Sequence, residues 1–412
     1  MTFKTTIEKL VYKGHGLGHY RGKVVFVPFS VPGDRLLVRP FEEKKTFLRA
    51  EIVRIIEPGN GRVNPKCPHF GLCGGCHWQQ LEYARQVEAK KNILEEIMHH
   101  RFPYTRELPI SMKASAHHFG YRSRARVQLR GTGKDASVGF FRHGSHRIED
   151  IDNCPLFRPS LNEALGSLRK YKQKVDTDGN PYEMDMACSE EENTWATART
   201  EISTNNSITT LLGPRRGEEV LFGRTVGDFR YSVSASVFFQ ANDFMIAELV
   251  DLVRECVQDA GVDSALELFS GVGLFTLPLA SQFAHVTSVE NSDAASRLCA
   301  LNAKSYDFRN IQHVCSDVSA WLNSPDADSQ SPFDLILLDP PRAGAGPGIM
   351  EKIKKLAPET ILYVSCDPQT LARDLIRISS HHYAIERVSA LDMFPQTYHF
   401  ETVVRLRKGS RR

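Results

Sequence analysis

The chain opens on short apolar–polar alternations broken by turn residues. Within residues 1–57, β-branched Val24, Val25 and Val27 precede a Pro32-Gly33-Asp34 turn and a second apolar run, which predicts short strands. A small β-barrel of OB-like topology accommodates that pattern. Residues 59–81 are rich in Gly, Pro and Cys and have no periodicity. Over 82–101 a helical period returns, with Val87, Ile93, Leu94 and Ile97 near one stripe among charges, predicting an amphipathic helix. Residues 121–148 read as strands, and Arg122, Arg124 and Arg126 fall on one face by period two. That row suits phosphate contact and a solvated edge equally. Residues 171–210 are polar and acidic and predict a variable loop or weak hairpin. From about residue 236, helices alternate with the strand candidates SALELF, HVTSVE, NIQHVCSD, DLILLD, TILYVSC, AIERVSALD and TVVRLR. This is the pattern of a doubly wound, Rossmann-like α/β domain with a predominantly parallel sheet, its last two strands a candidate hairpin. A multidomain chain is expected: a barrel at 1–57, a central α+β region at 58–235 and an α/β domain at 236–412.

Composition alters this picture in two respects. With 412 residues, 41% hydrophobic and 25% charged, the chain is ordinary globular protein long enough for two or three domains. No apolar run is long enough to span a bilayer, and MTFKTTIEKLVYKG has no secretory apolar stretch. A cytoplasmic protein without a membrane partner is expected, and no obligate protein partner is evident. In that compartment nine cysteines point to metal or catalysis before disulfides. The second respect is charge. Residues 1–150 hold 26 Lys+Arg against 14 Asp+Glu, whereas the remainder holds 26 against 35. A basic N-terminal third on an acidic body fits a polyanionic partner.

Candidate chemistry sits at strand C-termini. ALELFSGVGLF places Phe269, Gly271 and Gly273 between a strand and a helix, where glycines let a ligand approach the backbone. The next three strands end in Glu290, Asp317 and Asp339, at the edge where open α/β sheets bind ligands; the bland alternative is that some of these acids only cap helices. The loop is shorter than the G-x-G-x-x-G of NAD domains, and its E-x-F-x-G-x-G start fits S-adenosylmethionine better. TILYVSC ends in Cys366, followed by Asp367-Pro368, a helix N-cap and first turn. A helix N-terminus lowers a thiol pKa, and the adjacent Asp367 opposes it. Near the C-terminus, His399 and Glu401 share a face if both lie on a strand. Separately, CPHFGLCGGC places Cys67, Cys73 and Cys76 in a turn-rich stretch, and DNCPLF supplies Cys154 as a fourth thiol. Such a set suits either an iron–sulfur cluster or zinc, and makes the nearby His69 and His77 unnecessary as ligands.

FFQAN, ELFSGVG, LDPPRAG, VSCDP and the terminal HFE, in this order, resemble the bacterial RNA uracil-5 methyltransferases over nearly the whole chain. The resemblance implies that the first 57 residues are a TRAM module binding RNA. It implies that Gln240, Phe269, Glu290 and Asp339 contact S-adenosylmethionine, that Cys366 is the nucleophile and that Glu401 is the base. It favours a [4Fe–4S] cluster over zinc and ribosomal over transfer RNA. One departure stands out: many members have Asn after the second glycine, where this chain has Leu274. Transfer RNA as substrate, a cytosine-5 enzyme and a non-catalytic RNA-binding protein are the alternatives.

Overall fold

The computed structural model describes residues 1–131, 133–171, 182–191, 193–198, 220–330, 332–379 and 383–409. Six strands come first: β1 (Phe3–Thr6), β2 (Lys9–Leu10), β3 (Gly16–Tyr20), β4 (Lys23–Val27), β5 (Arg35–Glu43) and β6 (Phe47–Glu57). They form one sheet in the order β1-β5-β6-β4-β3-β2. Alternation sends Val25, Val27, Leu36, Val38 and Leu48 into its own small core. The expected turn is anchored by buried Asp34, which accepts from the N–H of Val31 (2.7 Å) and Gly59 (2.8 Å) and pairs with Arg62.

The aperiodic stretch forms turns and then α1 (Tyr83–Arg101), followed by β7 (Ile110–Lys113). A five-stranded sheet uses β8 (Arg124–Arg130), β9 (Ser137–Phe141), β10 (Ile148–Asp150), β11 (Tyr182–Cys188) and β12 (Thr194–Ala198), in the order β10-β9-β8-β11-β12. Helix α2 (Pro159–Tyr171) packs on it. Within the acidic segment, β11 and β12 pair antiparallel, so a hairpin forms there. The rest of that segment, 172–181, 192 and 199–210, lies outside the described residues.

The C-terminal part contains β13 (Leu221–Val226), β14 (Phe229–Ser234), α3 (Asp243–Val257), β15 (Ser264–Leu268), α4 (Thr276–Ala280), β16 (His285–Glu290) and α5 (Asp293–Ser305). After these come β17 (Ile311–Cys315), α6 (Val318–Leu322), α7 (Pro325–Ser329), β18 (Leu335–Leu338), α8 (Ile349–Leu356), β19 (Thr360–Ser365), α9 (Pro368–Ile378), β20 (Tyr383–Leu391) and β21 (Glu401–Lys408). Eight strands form a sheet in the order β17-β16-β15-β18-β19-β21-β20-β7. The pairs among β17, β16, β15, β18 and β19 are parallel, and β20–β21 is the expected antiparallel hairpin. Every residue of β18 and β19 is buried, because apolar clusters cover both faces.

Two features differ from the sequence reading. The short strand β7 leaves the central region and adds to the edge of the large sheet, parallel to β20; four residues are too few for a periodic signal. The arginine row lies on a central strand and not at a sheet edge, and its members differ: Arg126 is exposed, whereas Arg124 is turned to backbone. Arg124 donates to the carbonyls of Ser234 (2.6 Å) and Ala235 (3.1 Å), and Arg126 pairs with Asp185 at 2.9 Å. Among the described residues no helix is long and apolar enough to cross a membrane.

Candidate active site

The C-terminal ends of β15, β16 and β18 lie side by side, at the edge where open α/β sheets bind ligands. Just past β15 the backbone turns left-handed three times, at Phe269 (φ 63°), Gly271 (φ 56°) and Gly273 (φ 91°). Two are glycines, which adopt this conformation freely; at Phe269 it is strained. Glu290 holds the loop: Oε2 accepts from the Gly271 N–H at 2.9 Å and Oε1 from the Ser292 N–H at 2.7 Å. Gln240 is buried just before α3. Asp317 is exposed and caps α6, accepting from the Ala320 N–H at 2.9 Å, so the capping alternative describes its visible contact. Leu274 is buried in the apolar core beside α3 and α4, and its carbonyl accepts from the Tyr231 hydroxyl at 2.9 Å. The position is thus used for packing.

Cys366, just past β19, and Glu401, first in β21, are close enough for Glu401 to act on the thiol. In the antiparallel β19–β21 pair Ser365 lies opposite Thr402, so the next step of the ladder brings Cys366 against Glu401. Asp367 caps α9 as expected, its Oδ1 accepting from the N–H of Gln369 and Thr370, each at 3.0 Å. Burial pushes the Cys366 thiol up to about 12, with Glu401 adding to the rise and Arg342 opposing it. Desolvation is the largest cause, and the neighbouring carboxyls act in the same direction. Glu401 is only 2% exposed. Burial and then nearby Asp339 hold its carboxyl well above the usual range, and burial lifts Asp339 itself to about 7. His399 lies in the turn before β21, off the strand. Burial, with Arg342 next, lowers it to about 3, so it is a weak proton acceptor.

The four cysteines of the second cluster converge. Cys67, Cys73, Cys76 and Cys154 line one cavity of about 350 Å³, together with Arg122. Burial raises all four thiols, Cys76 to about 12 and Cys154 to about 11. Cys154 is fixed by Asn162, which accepts from its N–H at 2.8 Å. His69 turns instead to Glu149 at 3.0 Å. Among the described residues no three His, Cys, Asp or Glu groups are close enough to hold a single metal ion.

Residues 222–409 match the tRNA (Uracil-5-)-methyltransferase family. The 23S rRNA (uracil(1939)-C(5))-methyltransferase RlmD of Enterobacter sp. (strain 638) is 34% identical, over 95% of this chain and 93% of its own. An uncharacterized RNA methyltransferase of Thermotoga maritima is 31% identical over the full length of both chains. The chain belongs to the RNA uracil-5 methyltransferase family. Among solved structures, the tRNA (uracil-54, C5)-methyltransferase of Pyrococcus abyssi, in complex with S-adenosyl-L-homocysteine, superposes with a TM-score of 0.75 at 26% identity, covering 98% of this chain and 100% of that one. The enzyme is thus an RNA (uracil-5-)-methyltransferase, with S-adenosylmethionine as methyl donor and RNA as substrate.

In this methyltransferase a set of polar residues that sequence reasoning missed holds the turn leading to Glu401. Lys90 and Asp392 form an ion pair at 2.6 Å with both side chains fully buried, and Lys90 also donates to the Phe394 carbonyl at 3.1 Å. Gln86 accepts from the Gln396 N–H at 2.9 Å and donates to the Gln396 side-chain oxygen at 3.0 Å. The N–H groups of His77 and Trp78, just after Cys76, donate to the Gln396 carbonyl at 3.0 and 3.1 Å. Tyr121 donates to the Pro395 carbonyl at 3.0 Å and Asn242 to that of Met393 at 3.0 Å. The available signal was Gln86 and Lys90 four apart on a helix, in register with buried Ile93, Leu94 and Met98: polar groups on an apolar face need partners.

Proposed function

We propose that this enzyme methylates carbon 5 of a uridine in 23S ribosomal RNA through a covalent bond from Cys366, with Glu401 as the base. The observation that carries the reading is that Cys366 and Glu401 flank the last pair of the β19–β21 ladder, Ser365–Thr402, with Glu401 and Asp339 both acting on the Cys366 thiol. S-Adenosylmethionine supplies an electrophilic methyl group when bound. The Cys366 thiolate adds to carbon 6 of the uracil, and the electron pair of the 5,6 double bond makes carbon 5 nucleophilic. Once carbon 5 carries the methyl group, Glu401 takes its proton, the double bond re-forms and the carbon–sulfur bond breaks. Gln240, Phe269, Gly271, Gly273, Glu290, Asp317 and Asp339 are assigned to the cofactor, Asp317 while also capping α6.

The target base has to leave its stack to reach this cleft. Residues 1–57 are read as a TRAM module that grips RNA together with the central region 58–235, and 236–412 as the catalytic domain. For the four thiols a [4Fe–4S] cluster is the preferred occupant. Thiols spread around the wall of a cavity of about 350 Å³ suit a multinuclear cluster, and the Arg122 guanidinium would offset part of its negative charge. The cluster would fix this region, since the methylation needs no electrons. Ribosomal RNA is favoured by the 34% identical relative named for 23S rRNA; the Pyrococcus structure named for tRNA keeps the alternative concrete. Mass-spectrometric mapping of both RNAs from a deletion strain decides. Loss of one 5-methyluridine from 23S rRNA, restored by wild type and not by Cys366→Ala, is expected; loss from tRNA alone would overturn the substrate assignment.

A further inference from the structure

The turn between β2 and β3 belongs to the N-terminal sheet, yet it ends beside the nucleophile. Lys13 and Gly14 both have positive φ, 72° and 80°, and the Val11 N–H donates to the His15 carbonyl at 2.9 Å. The turn packs tightly: a Cβ on Gly14 would lie 3.1 Å from the Tyr398 ring and 3.2 Å from the Trp78 indole nitrogen. That indole nitrogen donates to the Gly14 carbonyl at 3.0 Å. So placed, Tyr12 meets Tyr398 edge-on at 5.7 Å, and its hydroxyl donates to Oδ2 of Asp367. The Asp367 carboxylate is therefore divided. Oδ1 caps α9, and Oδ2 is held by a residue from the other end of the chain.

We propose that Tyr12 is a positioning residue for methyl transfer, fixing the Asp367 carboxylate next to Cys366 so that the N-terminal sheet completes the nucleophile's surroundings. The inference rests on the reading of Cys366 as nucleophile. The groups facing Cys366 are Glu401 from β21, Asp339 and Arg342 after β18, Asp367 at the start of α9, and the Tyr12 hydroxyl. Three are carboxyls, and negative charge near a thiol disfavours the thiolate. A hydroxyl donating to Asp367 takes up part of that charge. Without it, Oδ1 still caps the helix, while Oδ2 is left as an unmatched anion beside the thiol.

The test is single-turnover formation of the denaturation-resistant protein–RNA adduct in a Glu401→Gln background, where the adduct is not resolved, using the full chain, labelled S-adenosylmethionine and total RNA from a deletion strain, across a pH series. Tyr12→Phe should slow adduct formation about tenfold near neutrality. Its pH profile should move up by about one unit, the same effect expressed as a thiol pKa. The rate should recover in alkali, with RNA and cofactor affinities unchanged. Asp367→Asn keeps a capping side chain and removes the charge, so its profile should move down, and adding Tyr12→Phe to it should change nothing further. An unshifted Tyr12→Phe profile, or a loss of RNA affinity as its only effect, overturns the positioning role. Adduct formation by Cys366→Ala would instead overturn the nucleophile assignment and the inference with it.

Discussion

At the scale of single residues the site is built from carboxyls that the fold would rather keep neutral. Glu401 and Asp339 both have raised pKa values, from burial first. A carboxyl raised in the folded state contributes stability that is complete below its unfolded value, near 4, and is lost as pH rises through the folded one. For Asp339 that window runs from about 4 to about 7. Glu401→Gln removes the second buried carboxylate and keeps its size. At pH 8 the variant should melt about 2–4 °C higher, the shift that ~1 kcal/mol makes in a domain of roughly 200 residues. It should also stop the reaction late. Addition and methyl transfer precede proton removal, so the variant should accumulate an adduct that already carries labelled methyl and survives denaturing electrophoresis. Turnover at the wild-type rate, or inactivity without adduct, would transfer the role to another residue. Glu290 acts on the other side of the cleft, where both oxygens already bind loop N–H groups. Glu290→Ala loses those charge-assisted bonds and loosens the glycine loop. The S-adenosylmethionine dissociation constant should rise about 10–100-fold, as expected for ~1.5–3 kcal/mol, with RNA affinity little changed. Unaltered cofactor binding by calorimetry would remove Glu290 from the site.

At the scale of elements, what the sequence disclosed was what periodicity and turn chemistry encode. The seven C-terminal strands, α1 and the Pro32-Gly33-Asp34 turn were legible because each carries a local signal. What escaped was non-local. The strand β7 is defined by its pairing with β20. Arg124 on β8 meets the carbonyls of Ser234 and Ala235 from more than a hundred residues away, partners that a period-two row cannot disclose. Lys90 looked like one more charge on α1, yet it lies fully buried against Asp392. A single partner removed from such a pair leaves a buried charge, at a cost of ~3–5 kcal/mol, so α1 and the turn carrying Gln396 are held in one arrangement. The cysteines are an intermediate case. The closeness of Cys67, Cys73 and Cys76 was legible from spacing, but the joining of Cys154 to them around one cavity depends on the fold. Anaerobically purified protein should be brown, with iron and sulfide near about four each per chain. Stoichiometric zinc without iron would reject the cluster assignment.

At the scale of the whole molecule, charge and architecture point to division of labour with a shared centre. Residues 1–150 carry the positive excess, 26 Lys+Arg against 14 Asp+Glu. Part of it is internally matched: Arg35 pairs with Glu57, Arg39 with Glu51, Arg49 with Glu42 and Arg62 with Asp34. The cations that meet phosphate are therefore fewer than the total, and the salt dependence of RNA binding counts them. Each neutralised phosphate contributes about −0.7 to −0.9 to the slope of log affinity against log salt, and 6–10 contacts would cost roughly 10³–10⁵ in affinity between 50 and 200 mM. Filter binding over that range should give a slope of this size for the full chain. Deleting residues 1–57 should flatten it and weaken binding while sparing S-adenosylmethionine affinity, because none of the residues proposed for the cofactor lies in that sheet. The deletion also removes Tyr12, so it should slow adduct formation even at RNA concentrations that restore saturation. Tyr12→Phe, which leaves every cation in place, should keep the full slope. A deletion that left RNA affinity and slope unchanged would show that the basic third does not grip RNA, whatever its charge.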